Sequence, residues 1–356
     1  MAKAAVFYLV PGDLTRFGLH RQPFRFYTLP MKKMLRLAAV CILALWLAWG
    51  AGVAFFCCPS SGWALGAYLA AVAGIIALHR KGRCLPVAGL IALALAATLF
   101  YGTITPSNDL QWQASWSRMP CGTMSGDTIT ITNVRDFHYR SETDFDVRYI
   151  TQSYPLAGLR TLDLGVSRWD GMEAVAHTLL SFGFDDGRHL AVSIETRLDE
   201  NDVQGSLPGL FKQFELLIIF ATEPDLFGLR TNHRHEDLCL YRLRATPEEI
   251  RGVFLSLVQR ANALVEHPEF YNTLTHNCTT SLLPVLHDVF PSVHYNLAAT
   301  FNGFADRRAF RMGRLQHRPG ETFEELKKRS LIPADTAKNC PEQYARAIRQ
   351  AVGMEP

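Results

Sequence analysis

The distribution of apolar and polar positions changes character near residue 104. Before that point it comes in long unbroken runs. Residues 37–58 form an uncharged stretch of 22 that includes Trp46, Trp49, Phe55 and Phe56, and roughly 20 such residues span a bilayer core as a helix. A turn at 59–62 separates it from a second run, 63–78, and a third extends from 84 to 104 with Pro86 near its start. The pattern predicts three transmembrane helices over residues 31–104. Lys32, Lys33 and Arg36 precede the first run, Arg80, Lys81 and Arg83 lie between the second and third, and the intervening turn has no basic residue. By the positive-inside rule this orientation leaves the N-terminus cytoplasmic and residues 105–356 outside. Met31-Lys32-Lys33-Met34 reads as a natural start, so residues 1–30 are expected to be a cytoplasmic leader or a mis-assigned extension.

After residue 104 the runs become short and alternate, as half-buried strands do. Strands are expected at 128–132, 144–152, 214–221 and 237–244. Two more, 175–184 and 188–197, face each other across the turn Asp185-Asp186-Gly187. Helices are expected at 247–266, where Thr246 and Glu249 have capping-box spacing, and at 279–290, 321–330 and 341–352. Strands first and helices later predict an α+β domain, an antiparallel sheet with helices on one side.

Composition narrows the function classes. Hydrophobic residues make up 48% and charged residues 19%, and the net charge of +3 gives no basis for a nucleic-acid partner. No Gly-rich phosphate loop, CxxC pair or HExxH is present, so no cofactor is expected. Cysteine and histidine spacings match no common zinc pattern, so no metal is expected either. The outer domain holds Cys121, Cys239, Cys278 and Cys340. Outside the cytoplasm an even count invites disulfides, with Cys121 and Cys340 the best candidates for a pair.

Cys278 is the candidate nucleophile. It follows Asn277 at the expected start of the 279–290 helix, where free backbone N–H groups and the positive dipole end favour a thiolate. The same N–H groups are expected to stabilise an oxyanion. The candidate base is His177. If Asp186 centres the turn, cross-strand partners sum to 372, which sets His177 opposite Glu195 on one face. A carboxylate there fixes the imidazole tautomer and stabilises the imidazolium. Ser193 lies on the same face and is the alternative orienter if the register slips by two. His189 also shares the face, to line the site or replace His177, while His276 is a loop residue within reach of substrate.

Four segments carry a family resemblance: ITNVRDFHYR at 131–140, VAHTLLSFGFDDGRHLAVSIETR at 175–197, ATEPDLFGLRTNHR at 221–234 and PEFYNTLTHNCTTSLL at 268–283. Together they resemble the Lnb N-terminal periplasmic domain family, named for a lipoprotein N-acylation transferase and similar to circularly permuted NlpC/P60 (papain-like) cysteine enzymes. The resemblance implies a permuted papain-like domain in the periplasm, anchored in the inner membrane. It implies Cys278 as nucleophile, His177 as base and Glu195 or His189 as the third member. Arg135, Glu223, Asp225, Arg230 and Asn232 fall in the shared segments, to line the pocket or, for Arg135 and Arg230, to brace the fold in buried ion pairs. One departure is that the spans here precede the domain. The expected function is a cysteine acyltransferase on membrane lipid or lipoprotein acyl groups, with a cell-wall peptidase or amidase, or a non-enzymatic scaffold, as alternatives.

Overall fold

The computed structural model describes residues 30–80, 86–169, 173–293 and 302–354. The leader expected before Met31 and the basic residues Lys81 and Arg83 lie outside the described residues. The chain divides into two units, Met1–Ile104 and Thr105–Pro356.

The first unit packs three helices, α1 (Met31–Phe56), α2 (Ser61–Arg80) and α3 (Pro86–Thr103), against one another. Trp46 Nε1 donates to Thr98 Oγ1 at 2.9 Å, and the Tyr68 hydroxyl donates to the Leu47 carbonyl at 3.1 Å. A Cβ at Gly50 would sit 2.3 Å from the Tyr68 oxygen, so glycine there permits the contact. Outward positions such as Leu45 and Leu99 are apolar and exposed, the surface a bilayer solvates. Three spans were expected. Among the described residues, Met31–Phe56 and Ser61–Leu78 are the helices long and apolar enough to cross a membrane, and the apolar part of α3, Val87–Thr103, is shorter.

The second unit is α+β. Its strands are β1 (Cys121–Ser125), β2 (Thr128–Arg135), β3 (His138–Tyr139), β4 (Phe145–Asp146), β5 (Tyr149–Pro155), β6 (Leu159–Arg168), β7 (Ala176–Phe184), β8 (His189–Arg197), β9 (Glu215–Ala221) and β10 (Asp237–Arg242). Eight form one sheet in the order β1-β2-β9-β8-β7-β6-β10, with β5 also on β2, while β3 and β4 pair separately. Ladders within it are antiparallel except the single parallel link Arg135↔Ala221 between β2 and β9. The expected strand at 144–152 is two strands, β4 and the start of β5.

The helices are α4 (Glu223–Gly228), α5 (Pro247–Glu266), α6 (Leu282–Val289), α7 (Ala305–Arg311), α8 (Phe323–Arg329) and α9 (Tyr344–Ala351). The expected α5 forms with its capping box: Glu249 N donates to Thr246 Oγ1 and Thr246 N to Glu249 Oε2. Helices were expected on one side of the sheet, but they cover both. Every residue of β9 is buried. Leu216, Ile218 and Phe220 join Phe254 and Leu257 of α5 and Leu282 of α6 in one core, whereas Leu217, Ile219 and Ala221 join Phe227 of α4 and Ile348 of α9 in another. Cys121 and Cys340, the expected disulfide candidates, form no disulfide among the described residues, and neither do Cys239 and Cys278.

Candidate active site

Strands β7 and β8 form the expected hairpin. Its three-residue turn places Gly187 at φ +82°, a left-handed conformation that glycine adopts without strain. The register is the sum-of-372 pairing, from Gly183↔His189 to Leu179↔Ser193. Beyond Leu179 the two strands part. β7 continues on β6 as far as Arg168↔Ala176, and β8 on β9 as far as Arg197↔Glu215. The parting leaves the backbone edge of residues 176–178 open on the side where β8 would have paired.

Cys278 fills that opening. Its sulfur lies 4.0 Å from the Ala176 carbonyl oxygen and accepts a hydrogen bond from the Thr178 N–H. The residue is 3% exposed. Thr178 and Thr279, the residues following His177 and Cys278, join hydroxyl to hydroxyl at 2.8 Å. This bridge pins the 278 turn to β7.

His177 reaches the same place from β7. Its Nε2 lies 2.6 Å from Ser193 Oγ and 3.1 Å from Glu195 Oε1. Ser193 donates to Glu195 Oε1 at 2.6 Å, so His177 Nε2–H donates to Ser193 Oγ. Ser193 therefore stands between base and carboxylate without any slip of register. With Nε2 committed, Nδ1 is the nitrogen left for the hydrogen bond His177 shares with Cys278. Arg230 Nη2 donates to the same Glu195 oxygen at 3.1 Å. Arg230 is carried by the π turn Leu229–His233 that continues α4, a widened turn of a kind frequent at functional sites.

The electrostatics follow from this packing. Burial pulls the His177 pKa down, but the charges of Glu195 and then Cys278 overcome it and hold the imidazole at about 9. For Cys278 burial pushes the pKa up, and the His177 imidazole, by charge and hydrogen bond, more than offsets it, leaving the thiol below its ordinary value. Glu195 is likewise well below the usual carboxylate range: burial raises it, while His177, Arg230 and the Ser193 hydroxyl lower it further. Both shifts favour the imidazolium–thiolate form of the pair, and the thiolate is the form that attacks carbonyl carbon.

The source of that activation differs from the sequence expectation. α6 begins at Leu282, four residues past Cys278. The N–H groups of Thr279 and Thr280 both donate to Asn277 Oδ1, at 3.0 and 2.9 Å. Asn277 is therefore the cap of this turn, and neither group is open to an oxyanion. Its amide anchors the other way, donating to the Thr273 carbonyl at 2.9 Å. The thiolate owes its stability to His177 and the Thr178 N–H rather than to a helix dipole.

The remaining sequence candidates scatter. His189 shares the face of His177 but lies six residues along the hairpin, about 20 Å away at roughly 3.3 Å per residue. Burial and the Arg349 charge lower its pKa against the pull of Glu223, so it belongs to a different cluster. His276 is exposed beside Thr275 in the loop before Cys278. Arg135 pairs with Asp225 at 2.6 Å in a buried brace. Asn232 donates to the Thr336 carbonyl at 3.3 Å, holding the C-terminal segment rather than the site. Glu223 pairs with Arg349. Sequence reasoning missed Tyr271, whose phenol is pushed up by burial and by the charges of Cys278 and Glu195. It missed the Thr178–Thr279 bridge too, although each threonine directly follows a candidate residue.

Residues 145–312 match the family model of the Lnb N-terminal periplasmic domain. The match takes in His177, Ser193, Glu195, Arg230 and Cys278, and three of the four resembling segments. No curated protein and no solved structure matches the chain. The family match and the apolar helices describe a membrane protein with a periplasmic domain.

Proposed function

We propose that the domain is a cysteine acyltransferase that moves acyl groups of lipid or lipoprotein through a thioester at the outer face of the cytoplasmic membrane. The observation that carries this is the buried chain Cys278–His177–Ser193–Glu195 closed by Arg230. The Cys278 thiolate attacks an ester carbonyl, and a sulfur–carbon bond forms. The His177 imidazolium protonates the departing alkoxide as the ester C–O bond breaks. An amine then attacks the thioester, His177 takes its proton, and the thiolate leaves, restoring the ion pair. Ser193 and Glu195 hold the ring in place throughout and stabilise its charged form. The apolar helical unit supports lipid rather than a soluble compound as the acyl source.

Intact mass measurement of the full chain purified from membranes tests this. The wild type is expected to carry an acyl adduct that hydroxylamine removes, and Cys278→Ala none. Iodoacetamide alkylation of Cys278 across pH checks the ion pair. The wild-type inflection lies below 9, and His177→Ala moves it above 9, cutting the rate at pH 7 by about tenfold or more. Absence of any adduct, together with an unshifted inflection in His177→Ala, would remove the basis for an acyl-enzyme.

A further inference from the structure

Next to the thiol lies a cavity of about 610 Å³, within the roughly 300–1,000 Å³ that holds a whole small ligand. Thr178 and Thr279, which directly follow His177 and Cys278 and join hydroxyl to hydroxyl, are among its lining residues and set the cavity beside the site. The interior is apolar: Leu164, Leu180, Leu243, Leu282, Leu286 and Phe290 line it. Among the described residues that line it there is no carboxylate or side-chain amide to fix a peptide.

The other walls carry five guanidinium groups, Arg244, Arg307, Arg308, Arg311 and Arg314. Arg307 is paired with Glu324 at 2.5 Å and Arg314 with Glu249 at 3.3 Å. Arg244 and Arg311 are exposed and have no carboxylate partner among the described residues. An apolar cavity edged by unneutralised arginines is complementary to an amphiphile with a negative head. Guanidinium forks match phosphate oxygens in pairs, and an acyl chain moved from water into the cavity is stabilised by burial of its methylenes.

We infer that this cavity takes an acyl chain of an anionic phospholipid, with the lipid phosphate on Arg244 and Arg311. The inference deepens the acyl-transfer reading, on which it rests for the lipid being the donor: the ester carbon passes its acyl group to Cys278 Sγ, and the lysophospholipid leaves with the His177 proton. A diacylglyceryl lipoprotein carries no phosphate at its glycerol, so the arginine edge favours the phospholipid over it as donor.

The test places the full chain in phosphatidylcholine nanodiscs doped with phosphatidylglycerol bearing a diazirine in its acyl chain. Illumination is expected to label residues of α6 and α7, with phosphatidylglycerol labelling well above an equally doped phosphatidylcholine probe. Arg244→Gln with Arg311→Gln should cut the phosphatidylglycerol labelling roughly tenfold or more, from two lost charge-assisted contacts, and lower phosphatidylcholine labelling by less, because its choline already neutralises the phosphate. Both arginines are exposed, so the fold tolerates the change. Leu286→Trp should block both probes by filling the cavity. Cys278→Ala should keep the labelling and lose the acyl adduct, which separates the two proposals. Labelling of the cavity with no adduct in wild type sinks acyl transfer and leaves the lipid site standing. Label elsewhere, or equal use of the two headgroups untouched by the arginine variant, overturns the lipid site whatever the adduct shows.

Discussion

The side chains at the thiol share one carboxylate oxygen. Glu195 Oε1 accepts from Ser193 and Arg230 at 2.6 and 3.1 Å and lies 3.1 Å from His177 Nε2. Its charge opposes the burial that would otherwise pull His177 below neutrality. Glu195→Gln keeps the shape and removes that charge. The His177 pKa is then expected to fall from about 9. The thiol, without an imidazolium beside it, should rise. Titration of the His177 ring by NMR and the alkylation profile of Cys278 measure the two ends of this coupling. An unchanged imidazole pKa would mean that the Cys278 thiolate, not the carboxylate, sets the charge. The thiol, imidazole and carboxylate were legible in the sequence because two-residue strand periodicity and a turn at Gly187 fix which residues face each other. Asn277 was not read correctly. An asparagine before a cysteine looks like a helix start in both readings, and only the hydrogen bonds of Thr279 and Thr280 show that the cap consumes the N–H groups.

Among the elements, the clearest omission is β6, the strand between β7 and the edge strand β10. Its sequence, LRTLDLGVSR, breaks alternation with Asp163 and Arg168, residues that ordinarily mark a surface. Both are buried because distant parts of the chain neutralise them. Arg168 meets Asp306 at 2.8 Å, and Asp163 meets Arg242 and Arg349. No local pattern reveals such partners, which lie as far as 186 residues away. Arg349, on α9, is fully buried and also bonds both oxygens of Glu223 at 2.8 Å. It thus ties a late helix to the middle of the sheet. Arg349→Met is expected to leave two buried carboxylates short of a counter-charge, at a cost of about 3–5 kcal/mol. In thermal unfolding that is a drop on the order of 10 °C. Arg349→Lys should fall between, because an ammonium cannot span both acids. A melting point within two degrees of wild type for Arg349→Met would show that α9 is not held by this cluster. By contrast α5 was legible to its last residue, because its cap and its apolar stripe are both local.

At the scale of the whole chain, the side of the membrane that residues 105–356 occupy depends on whether α3 crosses. Two crossings return them to the side of residue 31, and three send them across. By length α3 is borderline: 18 residues at about 1.5 Å each give roughly 27 Å against a hydrocarbon core of about 30 Å. Local thinning or flanking residues close a gap of that size at fractions of a kcal/mol per Å. The basic residues favour three crossings. Lys32, Lys33 and Arg36 lie at the start of α1, Arg80 ends α2, Lys81 and Arg83 follow, and no Lys or Arg lies between α1 and α2 or within α3. The match of residues 145–312 to a periplasmic domain points the same way. Cys340 offers a direct reading, since it is free, exposed and in the second unit. In intact spheroplasts a membrane-impermeant maleimide is expected to label it without permeabilisation, and Cys340→Ser should remove that signal. Cys84, the first residue of the third apolar run, should react only after permeabilisation. If Cys340 instead needs permeabilisation, α3 does not cross, the domain faces the cytoplasm, and a thiolate chemistry directed at outer-leaflet lipid has no route to its substrate.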